Sequence, residues 1–217
     1  ATTEIYTLSL HDALPIYLFP RKELLFQVLE KALENNLAVT LAFSYIRNHL
    51  LEEIDELLQE LEVWCQSREK EAGKDQEEII VNDWAMPILL QGKPHLKPVL
   101  GVLLNKRRKD VRLPYKHGIG NHVDSLAENN LNCGFYQDYL KNTFDIQRFE
   151  FESCGYKVTI PDGPHSLHLP FFQTNTSQYC TLYAVCRYGD RGKQKLPENC
   201  PRYCNKKVFL YPKHLKM

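Results

Sequence analysis

The chain has 217 residues and a formal net charge of zero, and 43% of its residues are hydrophobic, 11% aromatic and 25% charged. This apolar content excludes a disordered tail, and no run approaches the roughly 18 apolar residues of a spanning helix, so no membrane span is expected. Residues 1–100 carry 9 Lys or Arg against 17 Asp or Glu, whereas residues 101–217 carry 18 against 10. Neither half is basic enough to favour a nucleic-acid partner, and the two halves are expected to pack against each other; the alternative is that the basic half faces an anionic partner.

The chain begins with the segment ATTEIYTLSLHDALPI. Each residue of this segment has a codon that matches one frame of a common short-read sequencing adapter, and the next adapter base fits both codons of Tyr17. Residues 1–16 therefore resemble a translated adapter, which implies that they are not native and that the native N-terminus lies upstream of Tyr17. Because such a segment has no selected core contacts, it is expected to be disordered or loosely docked.

Residues 17–72 are predicted to form a helical layer with one strand. Apolar residues at helical spacing predict a helix over 21–35, and strict alternation of large and small side chains favours a strand over 37–45. Residues 46–72 predict an amphipathic helix, because acidic residues surround a stripe formed by Leu50, Ile54, Leu57, Leu61 and Trp64. We expect Leu57 and Leu61 to be buried in the chain's own core, since two heptads are too few to favour a coiled coil.

Residues 73–78 are predicted to be a charged linker, and residues 79–217 a β-rich region with two short helices, over 120–130 and 135–144. The predicted strands cover 79–81, 86–90, 98–104, 111–113, 149–151, 156–160, 179–188 and 207–211. The fold class predicted from these elements is α+β, with acidic amphipathic helices packed on a mixed or antiparallel sheet and a cysteine-containing β-rich C-terminal region.

Four consecutive basic residues, Lys106, Arg107, Arg108 and Lys109, lie between two of the predicted strands. This arrangement predicts the tip of a basic hairpin. Such a run is most often a solvated turn, and the alternative is a contact patch for a phosphate group or for the nuclear-import machinery.

The strong short motifs of nucleotide binding and catalysis are absent from the sequence. A weaker cluster consists of His117, His122 and Asp124, where two glycines would let the backbone bring the three side chains around zinc or iron. The alternative is that this loop leads into a helix and that both histidines are solvated. His165 and His168 make a poor chelating pair, because their spacing in an extended segment puts them on opposite faces.

Six of the seven cysteines lie towards the C-terminus: Cys133, Cys154, Cys180, Cys186, Cys200 and Cys204. They would suffice for three disulfides in an oxidising compartment, and the glycosylation sequon at Asn175 points the same way. The even spacing of Cys180 and Cys186 in a predicted strand instead favours free thiols that pack as small apolar groups. A zinc knuckle is a third interpretation, but the spacing of Cys180 and Cys186 does not fit one.

The function favoured by the sequence is a non-enzymatic protein-interaction or scaffold region of a larger, N-terminally truncated protein. A protein partner, no cofactor and a cytoplasmic or nuclear location are expected. The first alternative is a metal-dependent enzyme that uses zinc at the His117, His122 and Asp124 site. The second alternative is a secreted, disulfide-stabilised binding module in the secretory lumen or outside the cell.

Overall fold

The computed structural model describes residues 6–9, 21–43, 45–72, 76–108, 127–153, 157–169, 179–193, 195–196, 201–203 and 206. In chain order the strands and helices are β1 (Tyr6–Ser9), α1 (Lys22–Glu34), β2 (Val39–Ala42), α2 (Leu51–Ala72), β3 (Glu77–Val81), α3 (Ala85–Leu89), β4 (Leu96–Leu100), α4 (Gly134–Phe144), β5 (Phe149–Glu152), β6 (His165–His168) and α5 (Thr181–Tyr188). Short 3-10 turns over Asn48–Leu50 and Asn130–Asn132 precede α2 and α4. None of the helices in these ranges combines the length and apolar composition needed to cross a membrane.

The six strands of the described residues belong to one sheet, in which every neighbouring pair is parallel and the spatial order follows the chain order. Five of the strands, β2–β6, lie beyond the segment that resembles an adapter, and the sheet curls as a half-barrel. The predicted mixed or antiparallel sheet is therefore wrong, and the fold is of the α/β type. Because parallel neighbours need crossover connections, the intervening segments return to the same end of the sheet, as α2 does between β2 and β3.

One face of the sheet packs against the helices and forms the main core. This core takes Leu25 and Leu29 from α1 and the apolar stripe of α2, and it includes Leu57 and Leu61, which are 4% and 1% exposed. The prediction that these two leucines are buried in the chain's own core is confirmed. The helices over 21–35, 46–72 and 135–144 were likewise predicted in the right places, because each carries a helical apolar period that needs no knowledge of the sheet.

Two acidic residues of α2, the buried Glu62 and the exposed Asp55, pair with basic residues that precede β4. Glu62 is 8% exposed and accepts a hydrogen bond from His95 Nδ1 at 2.6 Å, and the Lys93 ammonium lies 2.8 Å from Asp55 Oδ1. Both basic partners lie in the segment that leads into β4. These pairs tie α2 to the start of β4 and explain why a strongly acidic helix packs closely on the sheet.

The strand predicted over 86–90 is wrong, because residues 85–89 form the short helix α3. Asp83 begins this helix: its Oδ1 accepts hydrogen bonds from Ala85 N and Met86 N at 2.9 and 3.0 Å. Pro87 fits the first turn, where its missing N–H has no intrahelical acceptor. The helix supplies the crossover that makes β3 and β4 parallel.

The strand predicted over 179–188 is also wrong, because Thr181–Tyr188 forms α5. Its aromatic and β-branched composition favours a strand, but local capping favours the helix: Cys180 Sγ accepts a hydrogen bond from Tyr183 N, and Gly189 ends the helix at φ 66°. Residues 157–160 are described without a strand, and β6 was missed by the sequence interpretation. The regions predicted over 111–113, 120–126 and 207–211 lie outside the described residues.

Part of the segment that resembles an adapter is ordered in the structure. Tyr6–Ser9 pairs in parallel with β2, from Tyr6 opposite Val39 to Ser9 opposite Ala42. Of the two expected states, disordered or loosely docked, these four residues show docking, through backbone pairing at the edge of the sheet. A strand at the edge of a sheet bonds through its backbone, so its side chains need not have been selected.

The origin of this segment is tested by a chain that starts at Tyr17. We expect its free energy of unfolding to lie within about 1 kcal/mol of that of the 217-residue chain, because an adapter-encoded segment has no selected core contacts and its described part, β1, pairs at the edge of the sheet. Urea denaturation of both chains measures the difference. A larger loss would mean that residues 1–16 contribute selected contacts and are native sequence.

Candidate functional site

The inner face of the sheet, which lies away from the helices, changes in character along the strands. At its middle, Ala42, Ile80 and Val99 form a small apolar cluster that is separate from the main core. Towards the carboxyl ends of the strands the inner-face positions are polar. In parallel α/β proteins this end of the strands is where ligands bind.

The residues of β5 alternate between the two faces. Phe149 and Phe151 belong to the main core, whereas Glu150 and Glu152 occupy the inner-face positions between them. All four are buried, with Glu150 3% and Glu152 7% exposed. Burying a carboxylate is costly unless it is paired and hydrogen-bonded, so the inner face must supply partners for these two groups.

Glu150 is paired with a histidine from the edge strand. His168 stands opposite Glu152 in the β5–β6 register, and its Nε2 lies 3.2 Å from Glu150 Oε2. The hydrogen bond with Glu150 raises the pKa of His168 above its ordinary value of 6.5, against the opposing effect of partial burial. The imidazole Nδ1 has no hydrogen-bond partner within the described residues, so this nitrogen is available to a ligand.

The other histidine of β6 lies on the opposite face, as the sequence predicted. His165 is exposed, and its Nδ1 lies 2.9 Å from Gly163 O. Its ring meets Phe151 edge-on with centroids 6.1 Å apart. The two histidines are therefore not a chelating pair, and only His168 faces the buried carboxylates.

After β4 ends, side chains of the following segment, instead of backbone N–H groups, donate hydrogen bonds to the edge of β5. The carbonyl groups of Arg148, Glu150 and Glu152, at every second residue along β5 and the residue before it, point towards β4, and Arg148 O accepts a hydrogen bond from Leu100 N at 3.0 Å. Because β4 ends there, Asn105 Nδ2 donates to Glu150 O at 3.1 Å and Arg107 Nη1 donates to Glu152 O at 3.0 Å. These two side chains satisfy the edge of β5 and hold both glutamates in position.

One acceptor at this end of the sheet remains unused. Asn105 is 3% exposed, and its Oδ1 is buried without a hydrogen-bond partner within the described residues. Next to β4, Asn82 follows β3 and lies over Gly101, whose missing Cβ leaves room for the Asn82 amide. The site therefore combines two buried carboxylates, two asparagine amides and one imidazole.

Asparagines downstream fix the segment that carries Asn105 and Arg107. Asn130 accepts a hydrogen bond from Lys106 N at 2.9 Å and donates to Leu104 O at 3.0 Å. Asn129 donates to Thr159 O at 2.7 Å. Residues 103–107 are thus held between two other segments, so the site lies on a rigid support.

The predicted metal site at His117, His122 and Asp124 lies outside the described residues, and so does Asn175. Across the parts of the chain that the structure does describe, no three His, Cys, Asp or Glu side chains are grouped to hold a metal ion. Of the basic run, Lys106 and Arg108 are exposed, Arg107 is half-buried against β5, and Lys109 is outside the described residues. The Arg107 guanidinium therefore has a structural role and is not a free contact group.

Four cysteines are described and carry free thiols: Cys65, Cys133, Cys180 and Cys186. Cys180 caps α5 and Cys186 lies six residues further along that helix, so the same-face strand packing predicted for them is wrong. Cys65 is buried in α2, where desolvation, assisted by Glu77, raises its pKa to about 12. Cys154, Cys200 and Cys204 lie outside the described residues, and the choice between thiols and disulfides stays a prediction.

The sequence interpretation missed the site because it assigned these residues to strands and turns without predicting which face of the sheet each side chain occupies. The available signal was the alternation Phe149-Glu150-Phe151-Glu152, which places the glutamates on one face. Alternation of this kind ordinarily indicates a solvent-exposed face, and only the curled sheet makes that face buried.

Comparison with known proteins gives no match to a protein-family model, to a curated protein or to a solved structure.

Proposed function

We propose that this chain binds a small polar molecule at the carboxyl ends of β3–β6 and exchanges a proton with it through His168. The observation that carries the proposal is the pairing of His168 with a glutamate that is almost completely buried. A titratable group whose pKa is shifted by such a partner, at the ligand-binding end of a parallel sheet, is typical of functional sites.

The roles of the residues follow from their contacts. Glu150 orients the imidazole through Nε2 and stabilises its charged form, which leaves Nδ1 as the proton donor to a ligand. The free Oδ1 of Asn105 provides a place for a hydroxyl or amino group of the ligand. Asn105 would thereby position a ligand, and His168, oriented by Glu150, would act as its general acid.

The proposal is tested by screening a panel of polyols, amines and carboxylates against the full chain by amide and imidazole NMR. We expect a ligand whose binding shifts the signals of His168 and Asn105 and is lost in the His168→Asn variant. His165→Asn is the matched control, because it removes a histidine from the same strand but from the opposite face. If no compound in the panel shifts His168, or if both variants bind equally, the proposal is wrong.

The raised pKa of His168 also predicts how stability depends on pH. A raised pKa in the folded state stabilises the protein fully below the unfolded value of 6.5, and this contribution is lost as pH rises through the folded pKa. The urea midpoint should therefore fall over that interval for the unmodified chain and for His165→Asn. His168→Asn should show a smaller change there, and an equal change in all three would show that another group titrates.

A second candidate function is the protein interaction that the sequence favoured. It is supported by an exposed apolar patch, formed by Phe135 and Tyr139 of α4 together with Trp84 and Ile88 at α3, around the half-buried Phe144. Phe144 contacts both Trp84 and Tyr139, with ring centroids 6.0 and 5.8 Å apart. Phe135 is 81% exposed, and contiguous apolar surface of this kind marks interaction sites.

This second function is tested by co-purification with the tagged full chain. We expect Phe135→Ser to remove a stoichiometric protein partner without affecting the fold. Leu24→Ser, at a 56% exposed leucine on α1, is the control and should retain the partner. Equal recovery from both variants would exclude the apolar patch as the contact surface.

A further inference from the structure

A cavity of about 580 Å³ lies at the opposite end of the sheet from His168, among the amino ends of β2, β3 and β4. This volume is typical of a site for a small molecule. Its apolar wall includes Leu33 and Leu37, from the end of α1 and the turn before β2, and its polar wall includes inner-face residues of the strands. The cavity is thus amphipathic, with the two kinds of surface on different sides.

Most charged groups of the polar wall are already paired. Glu78 accepts a hydrogen bond from Thr40 Oγ1 at 2.9 Å and lies 3.0 Å from Arg148 Nη1, while Glu77 lies 3.5 Å from Arg68. The contact between Arg148 and Glu78 lacks hydrogen-bonding alignment, so Arg148 Nη1 is buried with an unused donor. The carboxylates of the cavity are therefore neutralised by basic partners. Nη1 of Arg148, in contrast, keeps a hydrogen-bond donor that has no acceptor among the described residues.

Lys97 adds an unpaired positive charge. It stands directly opposite Glu78 in the β3–β4 register and is half-buried, yet within the described residues its side chain makes no ion pair or hydrogen bond. A cation that is partly removed from water without a counter-ion is unfavourable unless an anion joins it. Lys97 and Arg148 line the same cavity.

We infer that this cavity binds a small amphipathic carboxylate. Its carboxylate pairs with Lys97 and accepts a hydrogen bond from Arg148, and its apolar part lies against Leu33 and Leu37. A carboxylate without an apolar part would leave the apolar wall of the cavity uncovered, and an apolar molecule without a carboxylate would leave the polar wall without an anion. The inference is independent of the acid–base site at the other end of the strands.

The test uses octanoate as the probe and isothermal titration calorimetry on the full chain. We expect saturable binding with one site, at least about tenfold tighter than that of acetate or octan-1-ol, which each lack one half of the ligand. Failure of octanoate to bind, or equal binding of acetate, would overturn the inference.

Two variants localise the binding. Lys97→Met removes the charge but keeps the length of the side chain, and it should weaken octanoate binding at least about tenfold. Lys157→Met, at an exposed lysine in a loop, is the control and should bind as the unmodified chain does. If circular dichroism shows that Lys97→Met does not fold, Lys97→Arg is measured in its place. Retained octanoate binding by this variant supports the inference, and loss of binding in the folded variant overturns it.

Discussion

Phe151→Ala is expected to lower the free energy of unfolding by about 3–5 kcal/mol. Phe151 is completely buried in the main core, on the central part of β5, and it is among the largest side chains that are fully enclosed. Its ring also packs edge-on against His165 of the neighbouring strand. Because surrounding strands and helices close only partly over the space left by a missing ring, the loss combines transfer and cavity terms.

Urea denaturation measures this loss, and Phe135→Ala is the matched control. Phe135 is 81% exposed on α4, so the same substitution there should change stability by no more than about 0.5 kcal/mol. The comparison also tests the register of β5. A shift of one residue would exchange Phe151 with Glu150 between the faces, and the two variants would then differ little.

The helices of the chain were predictable where the apolar period was long. In α2 the stripe that contains Leu57 and Leu61 extends over several turns, and the period alone indicates which side faces the core. Short elements carried less information. Residues 86–90 were predicted as a strand because a short apolar run looks the same in a strand and in a helix, although Asp83 followed by Pro87 is the pattern of a helix start.

Strand direction could not be read from the strands themselves. Parallel and antiparallel pairs differ in how the chain returns between them, so assigning α3 as a strand removed the crossover between β3 and β4. This misassignment in turn affected the predicted fold class. With α3 and α5 both assigned as strands, the sequence predicted a mixed or antiparallel sheet where the structure has a parallel one.

The candidate site was only half predictable. Alternation in an extended segment placed His165 and His168 on opposite faces, and the structure confirms this. The partner of His168 could not be predicted, because Glu150 comes from another strand and its contact depends on sheet order and register. The same holds for Asn105, which reaches β5 only because β4 ends at Leu100.

Gly101→Val is expected to lower the free energy of unfolding by about 2–6 kcal/mol. A Cβ at Gly101 would lie 2.1 Å from Asn82 Oδ1 and 2.7 Å from Ile80 Cγ2, so the amide of Asn82 has to move. Overpacking of this kind costs about 1–3 kcal/mol, and displacing a buried amide from its partners costs about 1–3 kcal/mol more. Backbone movement is restricted, because Gly101 N donates to Val81 O at 2.8 Å.

Gly134→Val separates this steric effect from the general consequence of replacing a glycine. Gly134 is exposed at the start of α4, and a Cβ there would meet no atom within 4 Å. Its variant should be as stable as the unmodified chain or slightly more stable, since glycine is a poor helix former. In Gly101→Val, NMR should in addition show shifted signals for Asn82 and Leu103, whose backbone N–H faces the Asn82 amide at 3.4 Å. If Gly101→Val were as stable as Gly134→Val, Asn82 would not occupy the space above Gly101, and the amide would have to be removed from the candidate site.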